Sequence, residues 1–416
     1  MMTISVSALA CALLLASATA ESVKPHAAIA IQSNNDFANC SCVMSGMGTQ
    51  ANPYVIGPWA ISTNGGIAVS VDGTNLTSSF VLYNLEISGH SSGTDTGILL
   101  NHINPSGTQT IIAEIYGVTS SIQNANVGIL VENSSYVVLD GAGENPNGPG
   151  VASTGAGSIN DNLNGAVDVE NSSYVSVEGW QLSANGADHA PDYVGLDPGV
   201  QYWGVGGIRF FGVSNSLIDH NSANNDTNVS YTLFASSSNR VTNNTADYPF
   251  THNILIADGS SYNTVTGNVV GTADFFNIMV ADPLPGTSTL TTYGASHDNV
   301  ISNNVNHGAG PTGHEKDAGI VPAFLGGIVI LNGSYNNQIV NNQGIGANLG
   351  PDLVWAQAVP NANTPIGVTN YPPALNCNVT ASEGGRGVSN LNGNVWRGKH
   401  LQDHRIVPAG SVSVRQ

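Results

Sequence analysis

The amino-acid sequence predicts an all-β fold, a single-stranded right-handed parallel β-helix, on three observations. A motif of alternating apolar residues closed by asparagine recurs as SLIDHN from Ser216, NRVTNN from Asn239, NTVTGN from Asn263, NVISNN from Asn299 and NQIVNN from Asn337. Its closing residues Asn221, Asn244, Asn268, Asn304 and Asn342 lie 23, 24, 36 and 38 residues apart, which describes a constant coil with insertions in the last two turns. Ahead of each motif sits a second apolar run: GIRFF from Gly207, SYTLF from Ser230, NILIA from Asn253, NIMVA from Asn277 and GIVIL from Gly327. Two short strand-like runs per repeat, separated by turns and without a helical period, make one solenoid coil. Parallel crossovers are strongly biased to one hand, which gives the right-handed sense.

The repeat extends upstream. GILVENSSYVVLDG from Gly128 and GAVDVENSSYVSVEG from Gly165 share a frame 38 residues apart. Their alternation turns Ile129, Val131, Val167 and Val169 inward. It leaves Leu130, Asp168, Arg209, Thr232, Leu255, Met279 and Val329 on the outer face of one sheet. Coils stacked at roughly 4.8 Å bring identical slots into contact, so the recurrent asparagines are expected to form a hydrogen-bonded ladder along the axis.

Composition agrees with a long, narrow core. The chain has 49 Gly, only 9% charged residues and 41% hydrophobic residues, enough to fill a solenoid that grows by adding coils. One solenoid unit is expected, with a signal peptide over 1–20, an N-terminal cap over 21–78, coils over 79–345 and an irregular C-terminal cap and tail over 346–416. The leader is an apolar stretch from Val6 to Ala16 followed by Ala18-Thr19-Ala20, a small-x-small cleavage pattern. That stretch is too short to span a bilayer, and no later one approaches the length. The reading is an exported protein, secreted, extracellular or periplasmic. Cys11 falls in the leader, leaving Cys40, Cys42 and Cys377, an odd set that fixes no disulfide framework. Cys40 and Cys42 suit a local redox or N-terminal cap role.

Charge narrows the partners. The formal net charge is −19, and five of the nine basic residues (Arg386, Arg397, Lys399, Arg405, Arg415) sit in the tail. Such a body repels nucleic acid, anionic lipid and polyanionic glycans. It also disfavours β-elimination of uronates, which needs cations to neutralise a carboxylate. A chain poor in cations escapes self-repulsion in acid, so an acidic milieu is a further expectation.

The N-x-V/I-x-x-N motif and the segment GTQANPYVIGPWAIS from Gly48 resemble the right-handed parallel β-helix repeat proteins of the pectin-lyase-like superfamily over residues 48 to 345. The repeat is most similar to that of the NosD-like group, whose repeats are shared with carbohydrate-binding and sugar-hydrolase domains. The resemblance implies a glycan-facing scaffold. It names no reaction, because the N-T-D, D-D, G-H-G and R-I-K elements of the polygalacturonase members are not intact here. The Arg and Lys residues on which lyase members rely are mostly absent from the body.

One pair of carboxylates stands out within the coils. Aligning the runs that end in Asp258 and Asp282 puts both in one slot of successive coils, roughly 5 Å apart, where other coils hold Asn133, Asn171, Gly212, Ala235 and Asn332. Carboxylates that close share a proton, bind a cation or split their pKa values, as acid/base hydrolysis of a glycosidic bond requires. The other reading is that both cap sheet-end turns. Calcium held by the pair and loop carbonyls is the cofactor this arrangement admits. Insertions over 281–298 and 306–326 bring His297, Asp298, His307, His314, Glu315 and Lys316 beside it, with His252 and Asp274 on nearby coils. The spacing of His297, His307 and His314 matches no compact metal motif. Phe211 and Phe234 share an outward slot and could stack on sugar rings. The favoured function is binding, with hydrolysis, of a neutral polysaccharide or cell-surface glycan. The rivals are a non-catalytic envelope or matrix protein and NosD-like metal handling.

Overall fold

The structure, a computed structural model, describes residues 23–90, 95–104, 113–116, 120–142, 157–186, 206–226, 228–249, 251–273, 276–281, 294–307, 326–330, 334–344, 354–355, 378–381 and 395–398. Each coil is built around a six-residue strand: Ile67–Asp72, Thr96–Asn101, Val127–Glu132, Gly165–Glu170, Gly206–Phe211, Val229–Phe234, His252–Ala257 and Phe276–Ala281. These pair in parallel with a fixed register, as in Ile129 with Val167, Ile208, Tyr231, Ile254 and Ile278 in turn. Together with shorter end strands they make a long-strand sheet of eleven strands among the described residues. All-parallel stacking in which each coil adds one strand to each sheet is a parallel β-helix, as the sequence predicts.

Two further faces complete the coil. The N-x-V/I-x-x-N motifs form a second sheet through strands such as Leu217–Asp219, Arg240–Thr242, Thr264–Thr266 and Val300–Ser302. A third sheet of very short strands, including Ser222–Asn224, Thr245–Asp247 and Val269–Val270, follows each closing asparagine. The sequence showed two strands per repeat where the structure has three. The third strand turns only one residue inward, such as Ala223, Ala246 or Val270, and so leaves no apolar alternation to read.

Inward positions are aliphatic and buried, among them Ile129, Val131, Val167, Val169, Ile254 and Val265. At the corners the expected ladders are present. Asn221, Asn244, Asn268, Asn304 and Asn342 form one file in which Nδ2 of each donates to Oδ1 of the next at 2.9 to 3.1 Å. Asn263, Asn299 and Asn337 continue a second file on the same geometry. The ladder satisfies corner backbone groups that the turn takes out of the sheets.

The N-terminal end is closed by a short helix, Asn34–Asn39, started by a capping box in which Ser33 and Asp36 exchange bonds. Its Phe37 packs on Tyr54 and Phe80, covering the first coil. Cys40 and Cys42 form a disulfide there, and Trp59 Nε1 donates to the Cys42 carbonyl at 2.8 Å. The stacking runs past both boundaries read from the sequence. Tyr54–Ile56 and Ile67–Asp72 already pair as coil strands within 21–78, and Val354–Trp355, Asn378–Ala381 and Val395–Gly398 join the sheets beyond 345. No helix among the described residues is long and apolar enough to cross a membrane.

Candidate functional site

In the long-strand sheet the second, third and fifth residues of each strand face the core, while the first, fourth and sixth face outward. The pattern shows in the burial of Thr96–Asn101 and Val127–Glu132. Small second residues such as Gly97, Gly128 and Ala166 make two consecutive inward positions possible: a Cβ at Gly128 would come within 2.6 Å of Ile159 in the core. The outward columns are therefore fixed by register. The sixth-position column reads Asp72, Asn101, Glu132, Glu170, Phe211, Phe234, Ala257. The fourth reads Leu130, Asp168, Arg209, Thr232, Leu255, Met279, as expected from the sequence.

This register assembles an ionic shelf from three coils. Arg209 Nε donates to Asp168 Oδ1 at 2.9 Å, its Nη2 donates to Asp168 Oδ2, and the same Nη2 reaches Glu170 Oε1 at 2.8 Å. Beside it, Glu132 pairs with Glu170 across adjacent strands, and His102 Nδ1 meets Asp72 Oδ1 at 3.0 Å. Burial, then the charge of Asp168, raises the Glu170 carboxyl above the ordinary range; Arg209 opposes the shift and Glu132 adds to it. Glu132 is raised by burial, Asp168 and Asp72, against the pull of His102. Burial works against the Arg209 guanidinium, yet Asp168 and Glu170 hold it above its usual pKa. Two neighbouring carboxyls inclined to keep a proton, next to a carboxylate paired with arginine, are equipped for acid/base chemistry.

The face changes character along the axis. Past Arg209 it becomes an apolar patch of Val229, Phe234, Leu255 and Ala257, with Phe211 and Met279 packed against it. Phe211 and Phe234 do share an outward slot, but Phe234 is only 2% exposed. The expected aromatic platform for sugars is thus corrected: Phe234 is buried within the patch, and Phe211 packs against it partly buried. His252 lies on the same face and is buried.

Asp258 ends the strand His252–Ala257 in a left-handed turn with φ of 56°, and it is 1% exposed. Its slot mates His102, Asn133, Asn171, Gly212 and Ala235 all share positive φ, so the turn itself explains why Asn, Gly and Asp recur there. Asp282, Asp274, His314, Glu315 and Lys316 lie outside the described residues. His297 sits at the corner between long-strand and second sheets, with Nδ1 at 2.7 Å from Asp298 Oδ2 and its ring stacked on Tyr335. His307 follows the third sheet and faces Asp247 across Gly271, where a Cβ would meet the Asp247 carboxylate at 2.4 Å. The two histidines therefore occupy different corners. Among the described residues no three His, Cys, Asp or Glu side chains converge as a metal cage.

Glu132 and Glu170 are not among the site residues expected from the sequence, although the repeated VENSSY carries their signal: both glutamates hold the sixth position of a strand, directly before the asparagine turn.

No protein-family model matches the sequence, and no curated protein matches it. Solved structures similar to it are right-handed parallel β-helix proteins of the pectin-lyase-like kind. They include the DFA-IIIase of Arthrobacter chlorophenolicus A6 (14% identity, 77% of this chain and 65% of that chain, TM-score 0.38). Also similar are the endopolygalacturonase I of Stereum purpureum (12% identity, 89% and 98%, TM-score 0.38) and a variant of the periplasmic alginate epimerase AlgG (11% identity, 90% and 85%, TM-score 0.34). The chain spans 62–68% of the length of the DFA-IIIase chains it matches. The fold itself is established by the strand register.

Proposed function

We propose that this is an exported, carbohydrate-active β-helix that binds a neutral polysaccharide over the Glu132–Glu170 stretch of the outer face of its long-strand sheet. Hydrolysis is assigned to Glu170 as proton donor and Glu132 as the facing carboxylate. The observation that carries the reading is their pairing in register beside the Asp168–Arg209 ion pair, with both carboxyls raised. A neutral substrate follows from the shelf's charge: its guanidinium is engaged by Asp168 and Glu170, so an anionic sugar would meet carboxylates. Paired strands stand about 4.8 Å apart, close to the carboxyl spacing of retaining glycosidases. Asp258 with Asp282 is the second acid/base pair to test, and calcium the cofactor to test with it.

The experiment measures reducing-sugar release from laminarin, xyloglucan, galactomannan and pullulan, with and without calcium. Glu170→Gln and Glu132→Gln keep the side-chain shape, and Gln at 170 still accepts from Arg209, but neither amide can pass a proton. Each is expected to lower the rate by about a hundredfold or more while leaving the melting temperature nearly unchanged. A parent that releases no sugar from any of the four refutes the enzyme reading, and a rigid spacer or adhesive surface of the cell envelope takes its place.

A further inference from the structure

The corner between the long-strand and second sheets carries two columns of residues, bonded coil to coil. One runs Ser135, Ser173, Ser214, Ser237, Ser261, His297, Tyr335. Next to it run Tyr136, Tyr174, Asn215, Ser238, Tyr262, Asp298 and Asn336, every one at positive φ, between 53° and 59°. Asparagine, aspartate and serine tolerate this left-handed backbone through local side-chain bonds. Tyrosine does not, since its Cβ crowds the carbonyl and its ring offers the turn nothing in return. A bulky residue at such a place must gain elsewhere.

Burial does not supply the gain. Tyr174 is 47% and Tyr262 61% exposed, two of the few large hydrophobic side chains among the described residues that face solvent. Tyr136 stacks on Tyr174 with centroids 4.6 Å apart, which leaves the outer face of Tyr174 open. Tyr262 meets the edge of His297 at 5.6 Å, and His297 stacks on Tyr335 at 4.7 Å. Two aromatic platforms therefore stand three coils apart, about 14 Å, on one straight ridge. Between them lie only Ser214, Asn215, Ser237 and Ser238, hydroxyls and an amide that can bond to sugar hydroxyls.

We propose that this ridge docks a neutral polysaccharide chain laid along the solenoid axis, with Tyr174 and Tyr262 as its stacking platforms. Pyranose rings present apolar C–H faces to aromatic rings, and their repeat in an extended chain is of the same order as one coil. The occupant is uncharged because the protein carries −19 and the ridge itself holds Asp298 and no lysine or arginine. The ridge shares only the class of ligand with the proposed sheet-face site. It holds the polymer, and it does no chemistry.

Tyr174→Asn combined with Tyr262→Asn tests this, because asparagine already occupies the slot at Asn215 and Asn336 and suits its backbone. Native gels cast with laminarin, xyloglucan, galactomannan or pullulan read the dissociation constant from retardation. The parent is expected to be retarded by at least one of them. The double variant should bind that glycan about tenfold more weakly or worse, with a melting temperature equal or higher. Tyr174→Phe with Tyr262→Phe should bind as the parent does, which separates loss of stacking from damage to the fold. Equal retardation of parent and asparagine variant overturns the proposal, and so does a parent retarded by none of the four. A parent that releases sugar yet is not retarded overturns the ridge and leaves the sheet-face reading standing. Retardation that depends on the tyrosines, from a protein that releases no sugar, does the reverse.

Discussion

Asp226 holds the end of a third corner file, and its chemistry follows from that place. Asn162 and Asn185 each send Nδ2 to a carbonyl of the preceding coil, those of Ile122 and Ile159, and each donates to Oδ1 of the next member. Asp226 Oδ1 accepts from Asn185 N and Nδ2 at 3.1 and 3.0 Å. Its Oδ2 is buried with no hydrogen-bond partner among the described residues. One coil on from Ile159 stands Leu182, so the register sets that oxygen toward a carbonyl that only a protonated acid could serve. Gly207 makes room for it, since a Cβ there would lie 3.1 Å from Oδ2 and 2.1 Å from the Ser230 carbonyl. Burial accordingly pushes the Asp226 pKa up to about 7, from 3.8. The folded state holds this proton where the unfolded chain has lost it, so stability is full below about pH 4 and falls as pH rises to about 7. Asp226→Asn should melt like the parent near pH 4 and higher than it at pH 8, by an amount on the order of 4 kcal/mol at most. Equal melts at pH 8 would show that the carboxylate finds another partner.

At the scale of the element, the asparagine files are what the sequence announces most clearly. The left-handed turn falls on the residue before each file member, as at His220, Asn243, Gly267, Asn303 and Asn341, and the stacked amides demand asparagine at the member itself, so two adjacent constraints recur together at each coil. The third sheet and the shelf were not legible for the opposite reason. Glu132 and Glu170 are 38 residues apart and Arg209 lies 39 beyond Glu170, and only the register of strands separated by unequal insertions brings them together. Asp258 takes the slot of Asn133, Asn171, Gly212 and Ala235, and the left-handed turn there accounts for its recurrence as polar or small residues. The files should carry a large share of the stability. Asn244 accepts from Asn221 N and Nδ2 and donates to Asn268 Oδ1 and the Ile218 carbonyl, all buried. Asn244→Ala leaves those partners unsatisfied and is expected to cost about 3 to 5 kcal/mol in urea denaturation. A loss below about 1 kcal/mol would mean that water replaces the amide and that the file only marks the turn.

For the whole molecule, the balance of shifted carboxyls sets the pH at which the solenoid is most stable. Glu132, Glu170, Asp226 and Asp247 are all raised, chiefly by burial. Each favours folding while protonated and loses that contribution as pH rises through its folded pKa. Asp36 is lowered by the Gln32 backbone N–H and the Ser33 hydroxyl. Asp219 is lowered by bonds from Thr242, His220 and Asn243 that outweigh its burial. Those two contribute above the ordinary aspartate pKa of about 3.9 and are lost only as pH falls through their depressed values. The positive charge that acid can build is limited to 9 Lys and Arg and 11 His in 416 residues, so self-repulsion stays weak. The melting temperature should therefore hold or rise from about pH 7 down to about pH 4, and decline only below about pH 3.5. Circular dichroism melts across that range decide the matter: a steep fall between pH 7 and pH 4 would mean that carboxylates held ionised, by calcium or by bonds from the insertions, outweigh the raised group.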